Sequence, residues 1–99
     1  MNVAKLMQQA QRAQAEVQRA LAELEVEGSA GGGMVRVRLN GLKELRGIAI
    51  DRQALVGEEP SLVEDLVIAA WEEATRQLNE RSAEVLTRFG LPSGLGGLI

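Results

Sequence analysis

Residues 34–51, MVRVRLNGLKELRGIAID, constrain this chain more than any other stretch. Val35, Val37 and Leu39 alternate with Arg36, Arg38 and Asn40, the period of a strand with one buried face. Asn40-Gly41 is a turn signal, and a second run, residues 45–51, follows with Ile48 and Ile50 expected inward. Gly47 marks either a bulge or a close approach. Residues 34–52 carry Arg36, Arg38, Lys43, Arg46 and Arg52 against Glu44 and Asp51, a local excess of +3. A long amphipathic helical pattern lies on each side. A basic hairpin between two helices points to a binding protein rather than an enzyme.

Residues 2–24 predict the first helix. Val3, Leu6, Ala10, Ala13, Val17, Ala20 and Leu24 recur at spacings of three and four, widened by Met7 and Leu21. Asn2 is placed to cap it. Residues 23–27 alternate as a first strand, with Leu24 and Val26 on one face. Residues 28–33, GSAGGG, read as a flexible connection. Pairing across that connection sets Glu23 and Glu25 opposite Arg36 and Arg38. Residues 52–60 form a loop. Ser61 to Glu64 has the spacing of a capping box, after which the second helix runs to about Phe89. Leu62, Leu66, Val67, Ala70, Ala74, Leu78, Val85, Leu86 and Phe89 form its stripe, with Trp71 at the edge. Gly90 and Pro92 end it. The expected fold is α+β: a long helix, a three-stranded antiparallel sheet and a long helix, in one domain over residues 1–90. Residues 91–99 are expected to be a flexible tail.

Composition narrows the chemistry. The 99 residues contain no Cys, no His and no Tyr. A thiolate metal site and the commonest general base are therefore missing, and no catalytic, cofactor-binding or metal-ligating set emerges. Trp71 and Phe89 are the only aromatics, too few for a base-stacking platform. Gly31 to Gly33 lack the Gly-Lys-Ser/Thr ending of a phosphate loop. Glu58, Glu59, Glu64 and Asp65 cluster at a helix start, where negative charge is stabilising without any ligand. The N-terminus lacks a signal peptide's apolar run, and no segment has the length of a membrane span, so a cytoplasmic protein with no membrane partner and no small-molecule substrate is expected.

The net charge of −3 is unevenly spread. Residues 1–22 carry +2, residues 23–33 carry −3, residues 53–73 carry −6 and residues 74–99 carry +1. Lys5, Arg12 and Arg19 stand seven residues apart, about 10 Å between neighbours on one side of a helix. That line suits a repeating phosphate backbone, although solvated helix faces carry similar charges. Arg76, Arg81 and Arg88 alternate with Glu80 and Glu84, which suggests pairs Arg76–Glu80 and Glu84–Arg88. Lys43, Arg46 and Arg52 have only Glu44 and Asp51 nearby. The candidate DNA-binding residues are Lys5, Arg12 and Arg19 first, Arg76, Arg81 and Arg88 second, and Lys43, Arg46 and Arg52 third. A chain this short buries a modest core, and an apolar, Ala-rich seam from Val3 to Leu24 predicts an obligate homodimer.

These residues resemble the YbaB/EbfC family of nucleoid-associated proteins. The glutamine-rich opening runs into a strand signature made here by Leu24, Val26, Gly28, Gly31, Gly32, Gly33, Val35, Val37, Asn40 and Gly41. LRGIAID is similar to the family's third strand, LVEDLVIAAWEEATRQ to its second helix, and Leu91-Pro92 with the following glycines to its end. The resemblance implies a tweezer-like homodimer in the nucleoid that binds double-stranded DNA with little sequence preference. One departure is the −6 over residues 53–73, where the family's helix ends are largely basic. The alternative is an adaptor for a replication or repair protein, acting through the apolar seams and the acidic block.

Overall fold

The computed structural model describes residues 2–91. Helix α1 spans Val3–Glu23, and the Asn2 side chain accepts the Lys5 backbone N–H at 3.2 Å, closing an N-cap. Leu24 is extended and the chain passes straight into strand β1, Glu25–Ala30. Strands β2, Val35–Asn40, and β3, Leu45–Ile50, complete an antiparallel sheet in the order β1-β2-β3. Helix α2 spans Pro60–Arg88. The expected α-β-β-β-α order is the observed one. Of the expected tail, residues 91–99, all but Leu91 lie outside the described residues, and so does the Pro92 stop.

Helix α2 lies over β1 and β2. Val26, Val35, Val37 and Leu39 meet Ala70, Ala74 and Leu78 in one buried cluster, with Leu55 dropping into it from the loop before α2. Small residues bring the layers close. A Cβ on Gly28 would lie 2.8 Å from the Ala74 Cα and closer still to the Ala70 carbonyl oxygen and the Ala74 nitrogen. A second cluster joins the ends of the two helices through Val17, Leu21, Val85 and Leu86. Within α2 the row Ala70, Ala74, Leu78, Ser82 and Leu86 is buried at every fourth residue, as a straight packed stripe requires.

Three expectations are corrected. Residues 28–30 are strand rather than flexible connection, because Gly28 is where α2 presses on β1. The capping box is displaced: α2 begins at Pro60, with Glu59 at the cap position making no side-chain cap bond. Proline has a fixed φ and no N–H, and so nucleates a first turn where the orphan donors lie. Ile48 and Ile50 pair with Val37 and Val35 and so share their face, yet they are 47% and 40% exposed because α2 does not reach over β3. Leu62, Trp71 and Phe89 are likewise exposed.

Helix α1 is covered only near its C-terminal end in the single chain. Residues 3–16 are exposed throughout, with Val3, Leu6 and Met7 at 64%, 49% and 59%. Only Val17 and Leu21 of the apolar seam are buried. The described chain measures 69 × 19 × 17 Å. Helix α2, with 29 residues, accounts for about 43 Å of that length. The N-terminal two-thirds of α1 therefore stands out from the body as a rod.

Candidate nucleic-acid interface

All nine candidate cations are exposed. On α1, successive residues advance by about 100°, so Arg19 lies some 200° from Val17 and 160° from Leu21, the two residues that face α2. Arg12 and Lys5 follow at steps of seven and keep nearly the same azimuth. The line Lys5, Arg12, Arg19 thus runs down the side of α1 turned away from α2, over about 21 Å. None of the three forms an ion pair among the described residues.

The cations of α2 are placed differently. Arg76 pairs with Glu73 and Arg81 with Glu84, each at 4.0 Å and three residues apart. The expected four-residue pairs Arg76–Glu80 and Glu84–Arg88 are not formed. Both spacings put side chains on one helix face, and rotamer choice decides between them. Exposed contacts at this length hold the arginines weakly. Arg88 joins Arg81, Glu23 and Glu25 around an open groove of about 710 Å³ at the α1–α2 junction, floored by Ala20, Leu24, Val85 and Phe89.

On the sheet the register is Glu27↔Arg38 and Ser29↔Arg36. Arg38 Nη1 donates to Glu25 Oε1 at 3.1 Å, a diagonal contact between half-exposed side chains. Glu23 belongs to α1, so Arg36 faces Ser29 and Ala49 instead and is left without an ion pair among the described residues. Arg36, expected to be held across the hairpin and absent from the nine candidates, is an outward cation, unpaired among the described residues. Its alternation with Val35 and Val37 already marked it as outward. Pairing steps from Arg38↔Gly47 to Leu39↔Leu45, which leaves Arg46 at a bulge. Gly47 is also a close approach, since a Cβ there would meet the Arg38 guanidinium.

Lys43 and Arg52 are freed by competition for their neighbours. Glu44 accepts the Asn40 Nδ2 at 2.7 Å, and Asp51 accepts the Ala54 N–H at 3.1 Å. The carboxylates of Glu58, Glu59, Glu64, Asp65, Glu72 and Glu73 lie along the loop before α2 and its first half. Glu64 is about 31 Å along the axis from Val85, where α1 joins, at the usual rise per residue. No cluster of three or more metal-ligating side chains occurs among the described residues. No described helix is long and apolar enough to cross a membrane.

Fold and charge define a class: a small α+β protein that displays separate cations along an elongated surface, with its densest acidic stretch in the loop before α2 and the first half of that helix. Comparison with known proteins makes the class specific. The chain belongs to the YbaB/EbfC DNA-binding family, which it matches over residues 1–91. It is 50% identical over 101 aligned positions to a nucleoid-associated protein of Xanthomonas campestris pv. campestris, covering 95% of this chain and 93% of that protein. It is 50% identical over 86 positions to a nucleoid-associated protein of Xylella fastidiosa, covering 84% and 78%. Among solved structures, an uncharacterized protein from Helicobacter pylori shares the fold at a TM-score of 0.66 and 20% identity, over 89% of this chain and 96% of that one.

Proposed function

We propose that this chain acts as a homodimer in the bacterial nucleoid, binding double-stranded DNA with little sequence preference as part of chromosome organisation. Lys5, Arg12 and Arg19 supply the main phosphate contacts, and Arg76, Arg81 and Arg88 supply secondary ones. The observation that carries this reading is the free rod of α1, exposed from residue 3 to residue 16, with its cation line turned away from the body. Contacts of this kind position a protein on the backbone without reading bases. The names of the Xanthomonas and Xylella relatives support the nucleoid location. Support for the dimer comes from Val3, Leu6 and Met7 on α1 and from Ile48 and Ile50 on β3, apolar side chains the single chain leaves uncovered.

The test is a fluorescence anisotropy titration on random duplex at several salt concentrations. Lys5, Arg12 and Arg19 together changed to Gln should weaken binding to all sequences alike and reduce the log–log salt slope by up to about 0.9 per lost contact. Gln keeps helix propensity, so the rod should survive. Unchanged affinity and slope in the triple variant would overturn the α1 site and move attention to Lys43, Arg46 and Arg52. Light scattering at micromolar concentration should give twice the 10.7 kDa chain mass. The monomer mass would overturn the dimer. A second reading, a protein adaptor, is favoured by the exposed Ile68 and Trp71 amid the acidic half of α2. It predicts salt-insensitive capture of a protein partner and no steep salt dependence on DNA.

A further inference from the structure

The loop between β2 and β3 forces its one exposed cation into a conformation that side chains avoid. Among the described residues, Lys43 alone other than glycine has a positive φ, +67°. The left-handed region brings Cβ against the carbonyl oxygen, and glycine or asparagine fills it more readily than lysine. Two anchors hold the loop there. Asn40, itself buried, accepts the Leu42 and Glu44 N–H groups on Oδ1 at 3.0 and 2.9 Å and donates Nδ2 to the Glu44 carboxylate. Its backbone closes the turn, accepting the Lys43 N–H at 3.0 Å and donating to the Glu44 carbonyl at 3.1 Å.

The second anchor fastens this turn to α1. The Gly41 N–H donates to the carbonyls of Leu21, at 2.8 Å, and Leu24, at 3.0 Å. A Cβ on Gly41 would lie 2.9 Å from the Leu21 Cα, so only glycine fits. Leu42 packs against the cluster of Val17, Leu21, Val85 and Leu86. The loop is thus fixed to the root of the helix that carries Lys5, Arg12 and Arg19. The nearest carboxylate in sequence, Glu44, is engaged by Asn40, and Lys43 has no ion pair among the described residues. Strain kept at an exposed, unpaired charge points to a use for that charge.

We propose that Lys43 is a phosphate contact at the root of α1, and that Asn40 and Gly41 are the residues that position it. The proposal rests on the DNA-binding reading above. It is tested on the full chain with Lys43→Gly, Lys43→Asn and Lys43→Arg, using random duplex and a salt series. Lys43→Arg should match the parent. Gly and Asn should melt no lower than the parent, because both accept the left-handed region. Their salt slope should fall by about 0.9 per lost contact, which at 0.15 M against a 1 M reference is roughly five-fold in affinity for one contact and thirty-fold for two. Asn40→Ser should lower the slope in the parent and leave it unchanged in Lys43→Gly, a coupling that mere loss of stability does not produce. A parent that fails to bind duplex overturns the DNA reading itself. A parent that binds, with Lys43→Gly matching its affinity and slope, overturns this inference alone.

Discussion

Replacing Gly28 by alanine adds one methyl group where β1 meets α2. The φ of Gly28 is not positive, so the backbone accepts alanine, and the cost is contact alone. The new Cβ would sit 2.8 Å from the Ala74 Cα and closer to the Ala70 carbonyl oxygen and the Ala74 nitrogen. These are helix backbone atoms, and no side-chain rotation moves them. Ordinary carbon contacts begin near 3.5 Å, so α2 must lift locally by at least about half an ångström. That loosens Val26, Val35, Val37, Ala70 and Ala74, all within the same buried cluster. Overpacking of this sort costs typically 1–3 kcal/mol, and rigid backbone on one side argues for about 3. Alanine returns about 0.5–1 kcal/mol by restricting the unfolded chain. The net loss is then about 2 kcal/mol, or roughly 8–16 °C in Tm for a chain of this size. Urea unfolding followed by circular dichroism, at fixed protein concentration, should show a lower midpoint with an unchanged m value. Gly32→Asn is the control, because Gly32 faces open space at a φ of +68° that asparagine tolerates. A loss below about 0.5 kcal/mol in Gly28→Ala, the level of ordinary surface substitutions, would refute the claim that this glycine sets the sheet–helix spacing.

Gly41→Ala should lower the urea midpoint at least as far, since it drives a methyl into the Leu21 backbone and breaks the loop's hold on α1. Glu25→Gln removes the Arg38 pair between half-exposed side chains and should cost no more than about 0.5 kcal/mol in the same assay. Changing Glu58, Glu59, Glu64 and Asp65 to their amides should leave duplex affinity within about two-fold at 0.15 M salt and raise it at 0.01 M, where the screening length grows from about 8 to about 30 Å. A large rise at the higher salt would place the acidic block beside the DNA.

The order of elements was legible because each rests on local chemistry. Asn2 caps α1, Val35, Val37 and Leu39 alternate into the core, and Gly90 turns the chain out of α2 with a φ of +76°. The misreadings are tertiary. Gly28 belongs to a strand because a helix needs its missing side chain, and a glycine-rich run carries no mark of that. Ile48 and Ile50 alternate correctly, but their exposure depends on how far α2 reaches across the sheet. The heptads of α1 announce an apolar face without saying which surface covers it. The cations were legible as charges and as exposed. Their partners were not: Glu44 and Asp51 were the obvious ones for Lys43 and Arg52, and both carboxylates are instead bound within their own turns.

A net charge of −3 and a polyanionic partner are compatible only if the protein keeps its charges apart, and the shape of this chain does so. At physiological salt, exposed charges more than about 8 Å apart are largely screened from one another. A phosphate beside Lys5 or Arg12 therefore responds to the charges on its own stretch of α1, where Glu16 is the only carboxylate between Lys5 and Arg19. Helix α1 leaves the body at Val17 and Leu21, and Glu64 is already about 31 Å along α2 from that junction. Of the acidic block, only Glu58 and Glu59 immediately precede α2, whose first turn holds no carboxylate and no side-chain cap. The same elongation that denies the chain a larger core thus separates the acidic half of α2 from a rod that presents cations. On the proposed α1 site, net charge is a poor guide to affinity, and the local balance along α1 is the quantity the Lys5, Arg12 and Arg19 substitutions test.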